Sequence, residues 1–314
     1  MRIHIFNPET EYALASGASF YTPPAKVEEM RRRKQLLPEA WARPGDAIIV
    51  DDVSSVCSDF RLLDWESLRH FFMDNPDAVI VPWGWNHALW RRLHDHGVPA
   101  SALPELSEID RIRELAHRRT TIVLTERWNK EIEPEYIVDV PAELYTEDQC
   151  REFMAANPDC WMKAPWSSSG RGVINTAADM TPELALQWCR GIIRRQGSVM
   201  AETAARRVAD FATEWILCGG KAEYLGLSRF ETSRRGKYIT NYVEPQPILI
   251  SGFRSLSNMD IERVKELQAH ILESTLTGYE GPLGVDMIVE ESGVLRPFTE
   301  VNLRHTMGML NLLK

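Results

Sequence analysis

The chain has 314 residues, 44% of them hydrophobic and 26% charged, which is enough apolar material for about two folded domains. Its formal net charge of −9 opposes binding to nucleic acid, and no apolar run is long enough to cross a bilayer. The five cysteines lack CxxC and zinc-ligand spacing, and their odd number predicts reduced thiols in a cytoplasmic protein; the early polar residues do not resemble a signal peptide.

The first third of the chain alternates short apolar segments with amphipathic ones. This alternation predicts a parallel sheet flanked by helices. We therefore predict a small Rossmann-like domain at residues 1–104, without a dinucleotide-binding glycine loop. The predicted strands are residues 3–6, 47–50 and 78–81, and the predicted helices are residues 27–37, 64–73 and 88–96.

A polar segment, residues 7–11, follows the first predicted strand directly. Open α/β sheets bind ligands at the carboxyl ends of their strands, so this segment is a candidate ligand contact. The alternative is that Asn7 and Thr10 only form the turn or cap a helix. For His87 and the tryptophans near it, after the third strand, ordinary packing is the favoured interpretation.

Residues 105–314 are predicted to form a second, mixed domain. Thr181 and Gly197 bracket one helix as its N-cap and C′ residue, and Cys189 lies on the apolar face of that helix. The predicted helices are residues 108–117, 146–157, 181–195 and 261–276, and the predicted strands are residues 120–124, 211–217, 222–230 and 238–243.

A Ser/Gly-rich loop follows a predicted strand that carries Lys163. Its backbone N–H groups and hydroxyls can bind phosphate oxygens, with the lysine as a point charge beside them. It lacks the spacing of a Walker A loop, and Ser/Gly runs are often flexible linkers. We predict that residues 167–172 form a mobile lid with Arg171 at its tip. The candidate phosphate contacts are Lys163, Ser167, Ser168, Ser169, Gly170 and Gly172.

Two apolar segments near the end of the chain, residues 281–289 and 294–303, predict a hairpin. Glu300 and Asn302 share one face of the second strand, and Asp286 reaches that face if the strands pair. Two carboxylates and an amide oxygen form the hard ligand set that suits Mg²⁺. Arg304 follows on the same face and would contact an anion held by the metal. The alternative is a solvated hairpin surface.

The lysine strand, the Ser/Gly loop and the acidic hairpin, in this order, resemble the ATP-grasp superfamily, which includes D-alanine–D-alanine ligase and glutathione synthetase. The D…E-x-N pattern of Asp286, Glu300 and Asn302 is similar to the family's magnesium ligands, and Arg304 fits its E-x-N-x-R form. The resemblance implies α/β and α+β architecture: a Rossmann-like (pre-ATP-grasp) domain followed by a two-subdomain ATP-grasp fold. The expected subdomains are residues 105–197 and 198–314.

The resemblance also implies how the nucleotide is held. Residues 199–202, with Met200 and Glu202, look like the hinge strand that binds adenine, and Glu214 resembles the acid on the ribose hydroxyls. The insert between these two acids is longer than is usual. Where the family has an early lysine on the phosphates, this sequence offers Arg118 or Arg119.

The implied activity is an ATP-dependent carboxylate–amine (or carboxylate–thiol) ligase that acts through an acyl phosphate, with Lys163 and Arg304 in catalytic roles. It would use ATP and Mg²⁺, with Mn²⁺ as an alternative metal, on amino-acid-like or peptide-like substrates. A phosphotransferase and a non-catalytic nucleotide-binding protein are the alternatives. The sequence leaves open the substrates and the oligomeric state, a homodimer included.

Overall fold

The computed structural model describes residues 1–167, 170, 172–178, 180–233 and 236–312. These residues divide into two compact units, residues 1–114 and 115–312. The first unit therefore includes nearly all of the helix Leu106–Leu115, which the predicted boundary at 104/105 assigns to the second domain. Within the described ranges, no helix has the length and apolarity that a membrane span requires.

The first unit contains a four-stranded parallel sheet. The strand order is β3-β2-β1-β4, so β1 pairs with β2 on one side and with β4 on the other. Ile3 and Ile48 are fully buried, as expected for strands covered on both faces. The elements are β1 (Arg2–Ile5), α1 (Thr10–Ser16), α2 (Ala25–Arg33), β2 (Ala47–Ile49), β3 (Arg61–Leu63), α3 (Leu68–Asp74), β4 (Val79–Pro82), α4 (His87–Asp95) and α5 (Leu106–Leu115).

Asn7 and Thr10 form a turn between β1 and α1. Asn7 Nδ2 donates to Thr10 Oγ1 at 2.9 Å and to the carbonyl oxygen of Gly84 at 2.7 Å, and Thr10 Oγ1 donates to the carbonyl oxygen of Asn7 at 2.8 Å. Both residues are 1% exposed. The turn-forming alternative therefore describes these two residues, and Asn7 also ties the end of β1 to the segment after β4.

The second unit contains two antiparallel sheets. One has the order β5-β8-β6-β7 and the other β11-β10-β9-β12-β13. The elements are α6 (Thr120–Glu131), β5 (Ala142–Leu144), α7 (Glu147–Ala156), β6 (Cys160–Lys163), β7 (Val173–Asn175), α8 (Pro182–Gln196), β8 (Val199–Thr203), β9 (Arg207–Cys218), β10 (Lys221–Thr232), β11 (Tyr238–Tyr242), α9 (Gln246–Leu256), α10 (Ile261–Thr275), β12 (Gly281–Glu290), β13 (Leu295–Asn302) and α11 (Met307–Leu312).

The predicted strand at residues 120–124 is wrong, because these residues begin helix α6. Thr121, Leu124, Thr125 and Trp128 are buried with helical spacing. The run of β-branched residues favoured a strand locally, but β-propensity depends on packing, and here a helix buries the apolar positions.

Helix α8 forms with its predicted caps. Thr181 Oγ1 accepts a hydrogen bond from the Leu184 N–H, and Gly197 ends the helix at φ +89°, a conformation that glycine adopts without strain. Cys189 is fully buried in the core beneath the sheet of β6 and β8, as predicted.

Candidate active site

The register of the five-stranded sheet places acidic residues on one face. Asp286 pairs with Glu300, and Gly284 pairs with Asn302, in the β12–β13 hairpin. On the other side of β12, Glu214 of β9 pairs with Gly284. Paired residues of antiparallel strands share a face, so Asp286, Glu300 and Asn302 lie together, as the hairpin prediction requires, with Glu214 beside them.

The Asp286 side chain is half-buried in the cavity wall, and its desolvation raises the pKa of the carboxyl well above the ordinary value. The negative charges of Glu300 and Glu214 raise this pKa further, and the charge of Arg304 opposes them. Among the described residues, no N–H or O–H group donates a hydrogen bond to this carboxyl. A half-buried carboxyl without a donor, beside a second carboxyl, suits a cation more than a water-exposed surface.

The metal-ligand set depends on Asn302. In the described ranges, no three His, Cys, Asp or Glu side chains lie together in a group that could hold a metal ion. The Asn302 amide oxygen, which accepts a 3.0 Å hydrogen bond from Arg304 Nη2, is the third oxygen donor beside Asp286 and Glu300. Two carboxylates and one amide oxygen fit Mg²⁺, whose remaining positions are usually filled by water and phosphate.

Arg118 connects the start of the Ser/Gly loop to the hairpin. Its Nη1 donates to the Ala164 carbonyl oxygen at 2.6 Å and to Ser167 Oγ at 2.7 Å, and its Nη2 donates to Glu300 Oε1 at 2.5 Å. Arg119 instead donates to Glu143 at 2.8 Å. Of the two arginines, the structure brings Arg118 to the predicted site.

A cavity of about 290 Å³ lies beside this arginine, between the two sheets of the second unit. Lys163 and Glu202 are diagonal neighbours on adjacent strands of the first sheet and form an ion pair. Both side chains are about 15% exposed, so their charges are poorly screened by solvent. The cavity thus contains a lysine, Arg118 and the carboxyls of Asp286 and Glu300.

Two glycines allow close approaches in the loop, Gly170 to the β10–β11 turn and Gly172 to the start of the loop itself. Gly170 has φ +73°, and a Cβ atom there would lie 2.4 Å from the carbonyl oxygen of Gly236. At Gly172 a Cβ atom would lie 2.3 Å from Cβ of Ser167. Only glycine fits at either position. The predicted contacts Ser168 and Ser169, and the predicted lid tip Arg171, lie outside the described residues.

A second cavity, of about 170 Å³, adjoins the first, and Asp286 and Glu300 line both. Asn302 and Arg304 line the second cavity. Six residues line both cavities, and the two acidic ones among them are the carboxylates of the predicted metal site. This site therefore lies where a ligand in one cavity would approach a ligand in the other.

Glu214 lies in this second cavity and not with Lys163 and Glu202. It is fully buried, accepts hydrogen bonds from Ser228 Oγ at 2.8 Å and Thr306 Oγ1 at 2.7 Å, and burial raises its pKa to about 7. Met200 is 2% exposed and lines neither cavity, so its side chain does not face a ligand. Only its backbone is left to contact adenine.

Asp210, which the sequence analysis did not single out, lines the first cavity. Thr232 Oγ1 donates to Asp210 Oδ2 at 2.8 Å, Arg207 Nη1 donates to Oδ1 at 3.3 Å, and burial raises the pKa of the carboxyl. The predicted strand began at Phe211 and so excluded this residue. The even spacing of Asp210 and Glu214, which puts both on one strand face, is the signal that could have identified it.

No family model matches the sequence, and no curated protein matches it. Solved structures are similar to it in fold. N5-carboxyaminoimidazole synthetase from Staphylococcus aureus, complexed with ADP, is 10% identical with a TM-score of 0.55, over 98% of this chain and 71% of that one. The biotin carboxylase domain of Hydrogenobacter thermophilus 2-oxoglutarate carboxylase, complexed with MgADP, ADP and bicarbonate, is 11% identical with a TM-score of 0.57, over 99% and 68%.

L-amino acid ligase from Bacillus licheniformis is 13% identical with a TM-score of 0.50, over 99% of this chain and 68% of that one. Identities this low are evidence of a shared fold alone. All three neighbours are ATP-grasp enzymes, and the predicted resemblance is confirmed at that level. The chain has the ATP-grasp fold.

Proposed function

We propose that this protein is an Mg·ATP-dependent ligase that joins a carboxylate to an amine or a thiol through an acyl phosphate. The observation that carries the proposal is the position of Asp286 and Glu300, which face each other across a hairpin and line both cavities. In the ligase, one cavity takes the nucleotide and the other takes the carboxylate substrate. The phosphoryl group is transferred between them.

The first cavity is assigned to ATP. Lys163 and Arg118 supply positive charge for the phosphates, and the β8 backbone near Met200 and Glu202 supplies hydrogen bonds for adenine. Asp210, in place of Glu214, is assigned to the ribose hydroxyls because it lines the same cavity as Lys163. Support comes from the neighbours whose structures were solved with ADP or MgADP.

Asp286, Glu300 and Asn302 are assigned to Mg²⁺, which when bound neutralises phosphate charge and polarises the transferred group. Arg118 fixes the orientation of the Glu300 carboxyl by its hydrogen bond. Binding of a cation also requires Asp286 to be deprotonated against the charges of Glu300 and Glu214.

The second cavity is assigned to the carboxylate substrate. Its oxygen attacks the γ-phosphorus of ATP, ADP leaves, and the resulting acyl phosphate is then attacked at its carbonyl carbon by the amine, which expels phosphate. Arg304 lines this cavity and offsets negative charge on the substrate and on the tetrahedral species. The loop that contains Gly170, which lines both cavities, restricts water from reaching the acyl phosphate.

We further propose that residues 1–104 form a Rossmann-like pre-ATP-grasp domain, in keeping with their parallel sheet. Residues 105–197 and 198–314 would then be the two ATP-grasp subdomains. Residues 105–197 contribute β5, β6 and β7 to one antiparallel sheet, and residues 198–314 contribute all five strands of the other. The exception is β8, which belongs to the second range but pairs with β5 and β6 of the first.

Nucleotide and metal binding are tested by thermal unfolding with and without Mg·ATP. A ligand that binds only the native state increases the free energy of unfolding, by about 2.7 kcal/mol when its concentration is a hundred times Kd. The melting temperature therefore rises. We expect a rise that EDTA largely removes. An unchanged melting temperature at millimolar Mg·ATP would contradict the assignment of the first cavity.

The reaction class is tested by ATP turnover with amino acids and short peptides as substrates. A ligase should release phosphate only when both a carboxylate and an amine are present, and hydroxylamine should intercept the acyl phosphate as a hydroxamate. ADP formation that yields a stable phosphorylated product and no hydroxamate would instead identify a phosphotransferase.

A further inference from the structure

The first unit has its own cavity, of about 230 Å³, at the carboxyl ends of β1 and β4. From β1 the chain proceeds to β2 and β3 on one side, and β4 lies on the other side of β1. Between β1 and β4 the direction of the connections therefore reverses, and open α/β sheets bind ligands at such a point. Glu9 follows β1 and Asn86 follows β4, and both line the cavity.

Unpaired polar atoms are concentrated around this cavity. Among the residues that the structure describes, nine buried side-chain atoms have no hydrogen-bond partner, and four of them belong to residues that line this cavity. An unsatisfied buried polar atom costs about 1–3 kcal/mol, so four around one space indicate a partner that occupies it. The four atoms are Glu9 Oε2, Arg31 Nε, Trp65 Nε1 and Asn86 Nδ2.

The neighbouring contacts determine which of these atoms donate and which accept. Asn86 is 1% exposed, and its Oδ1 accepts a 2.9 Å hydrogen bond from the Leu89 N–H as the N-cap of α4, so its free atom is the amide nitrogen. Arg31 pairs through its two Nη atoms with Glu9 Oε1 and Asp51, which leaves Nε as its unpaired donor. The cavity therefore offers one carboxylate acceptor and several N–H donors.

Charge and size narrow the ligand class. The lining contains two acids, Glu9 and Glu28, and two bases, Arg31 and Arg92, so its formal charge is zero. The guanidinium of Arg92 lies 3.6 Å from the ring centre of Trp65 and makes one wall rigid. The volume of about 230 Å³ is smaller than that of the cavity assigned to ATP, about 290 Å³. A small ligand with no net charge but with both an anionic and a cationic group matches this lining.

We propose that this cavity binds a free α-amino acid, with its ammonium group on Glu9 Oε2 and its carboxylate on Arg31 Nε and Asn86 Nδ2. All of the residues involved belong to the first unit. The proposed site is therefore complete without the nucleotide cavity of the second unit, and binding requires neither ATP nor Mg²⁺.

The binding test uses the full chain without nucleotide and each proteinogenic amino acid at millimolar concentration, measured by thermal unfolding and isothermal titration calorimetry. We expect one amino acid or a related group to raise the melting temperature and to bind. Its N-acetyl derivative and its decarboxylated amine should each fail to bind, because each lacks one of the two charged groups. If no amino acid binds, or if either derivative binds equally well, the proposal is overturned and water is the occupant.

Two variants test the assigned contacts. Asn86→Asp keeps the oxygen that caps α4 but replaces the free N–H donor with an acceptor, and Glu9→Gln removes the charge that faces the ammonium. Each should weaken binding by about tenfold or more, the effect of losing one charge-assisted hydrogen bond. Glu66→Gln, at a side chain that is 92% exposed in the same unit, is the control and should bind normally. Unchanged affinity in Asn86→Asp, with a normal melting curve, would overturn the proposal even if Glu9→Gln did not fold.

Discussion

Arg118 donates a 2.5 Å hydrogen bond to Glu300, although 182 residues separate the two in the chain. The same guanidinium holds the Ala164 carbonyl and the Ser167 hydroxyl at the start of the Ser/Gly loop. One side chain, only 8% exposed, thus connects the loop to the candidate metal ligand. A change at Arg118 should therefore affect both the nucleotide and the metal.

Arg118→Lys is the first prediction. A lysine has one nitrogen and cannot reproduce the forked geometry of the guanidinium, so at least one of the three contacts is lost. Losing one charge-assisted hydrogen bond, about 1.5–3 kcal/mol, should lower kcat/KM for ATP by about 10- to 100-fold. Arg119→Lys is the matched control, since Arg119 bonds to Glu143 outside the cavity. Equal effects of the two variants on steady-state kinetics would contradict a role for the Arg118 contacts.

Glu300→Ala should abolish most turnover while leaving the fold intact. The side chain is 30% exposed, so its removal creates no large core cavity, but Arg118 loses its partner at a cost of about 1–3 kcal/mol. We expect a lower but still cooperative melting transition and a decrease in kcat by orders of magnitude, since an assigned metal ligand is removed. Glu291→Ala, in the exposed turn of the same hairpin, is the control. Turnover near normal in Glu300→Ala would indicate a solvated hairpin face.

Lys163→Ala should likewise keep the fold and lose turnover.

The sequence predicted which side chains of the hairpin share a face, because that geometry is local. Asp286, Glu300 and Asn302 lie on two strands joined by a short turn, and the two-residue period of a strand determines which side chains share a face. No contact with a distant segment is needed to bring these three together. The same period was applied to a predicted strand that began four residues after the start of β9, and so it did not include Asp210.

Contacts between distant segments could not be predicted in this way. The choice between Arg118 and Arg119 depends on where helix α6 begins, and the sequence suggested a strand there. Likewise, Asp210 lines the cavity of Lys163 whereas Glu214, on the same face of β9, lines the other cavity, a division that spacing along the chain does not reveal. The unpaired atoms near Glu9 come together because α2 and α4 pack against the ends of the strands, and the sequence does not reveal this packing.

Gly170→Ala should uncouple ATP hydrolysis from product formation. An alanine at φ +73° is strained, and its Cβ would lie 2.4 Å from the Gly236 carbonyl oxygen, so the loop must move away from the β10–β11 turn. Water would then reach the acyl phosphate, and more phosphate should be released per ligated product. Gly219→Ala is the matched control: its φ is +58°, but no atom lies within 4 Å of the added Cβ. An unchanged ratio of phosphate to product in Gly170→Ala would show that this contact does not exclude water.

Mg²⁺ affinity should increase with pH, because burial and the charges of Glu300 and Glu214 raise the pKa of Asp286. A protonated carboxyl must lose its proton before it binds the metal, so affinity can rise by up to about tenfold per pH unit below that pKa. Calorimetry of Mg²⁺ binding in the presence of ADP, in buffers of different ionisation enthalpy, should detect proton release. Asp286→Asn should remove both the proton release and most of the affinity. Binding without proton release in the wild-type protein would contradict the Asp286 assignment.

Glu214→Gln should change how stability depends on pH. The ordinary pKa of this carboxyl is 4.5, and burial raises it to about 7 in the folded protein, so between these values the native state binds the proton more tightly than the unfolded chain does. The free energy of unfolding therefore decreases as the pH rises through this interval. At 1.36 kcal/mol per pKa unit, the loss approaches about 3 kcal/mol above pH 7 and is absent below about pH 4.5.

Glutamine does not titrate, so Glu214→Gln should lack this decrease. Its amide can still accept a hydrogen bond from Ser228 or Thr306, which limits the cost of the substitution. Relative to the wild-type protein, the variant should thus gain stability between about pH 5 and about pH 8. Urea unfolding followed by tryptophan fluorescence across this range measures the difference, with Glu223→Gln at an exposed position of β10 as the control. Parallel stability profiles for the wild type and Glu214→Gln would mean that the carboxyl is not protonated in the folded state, and that its charge is balanced within the second cavity by a cation such as Arg304.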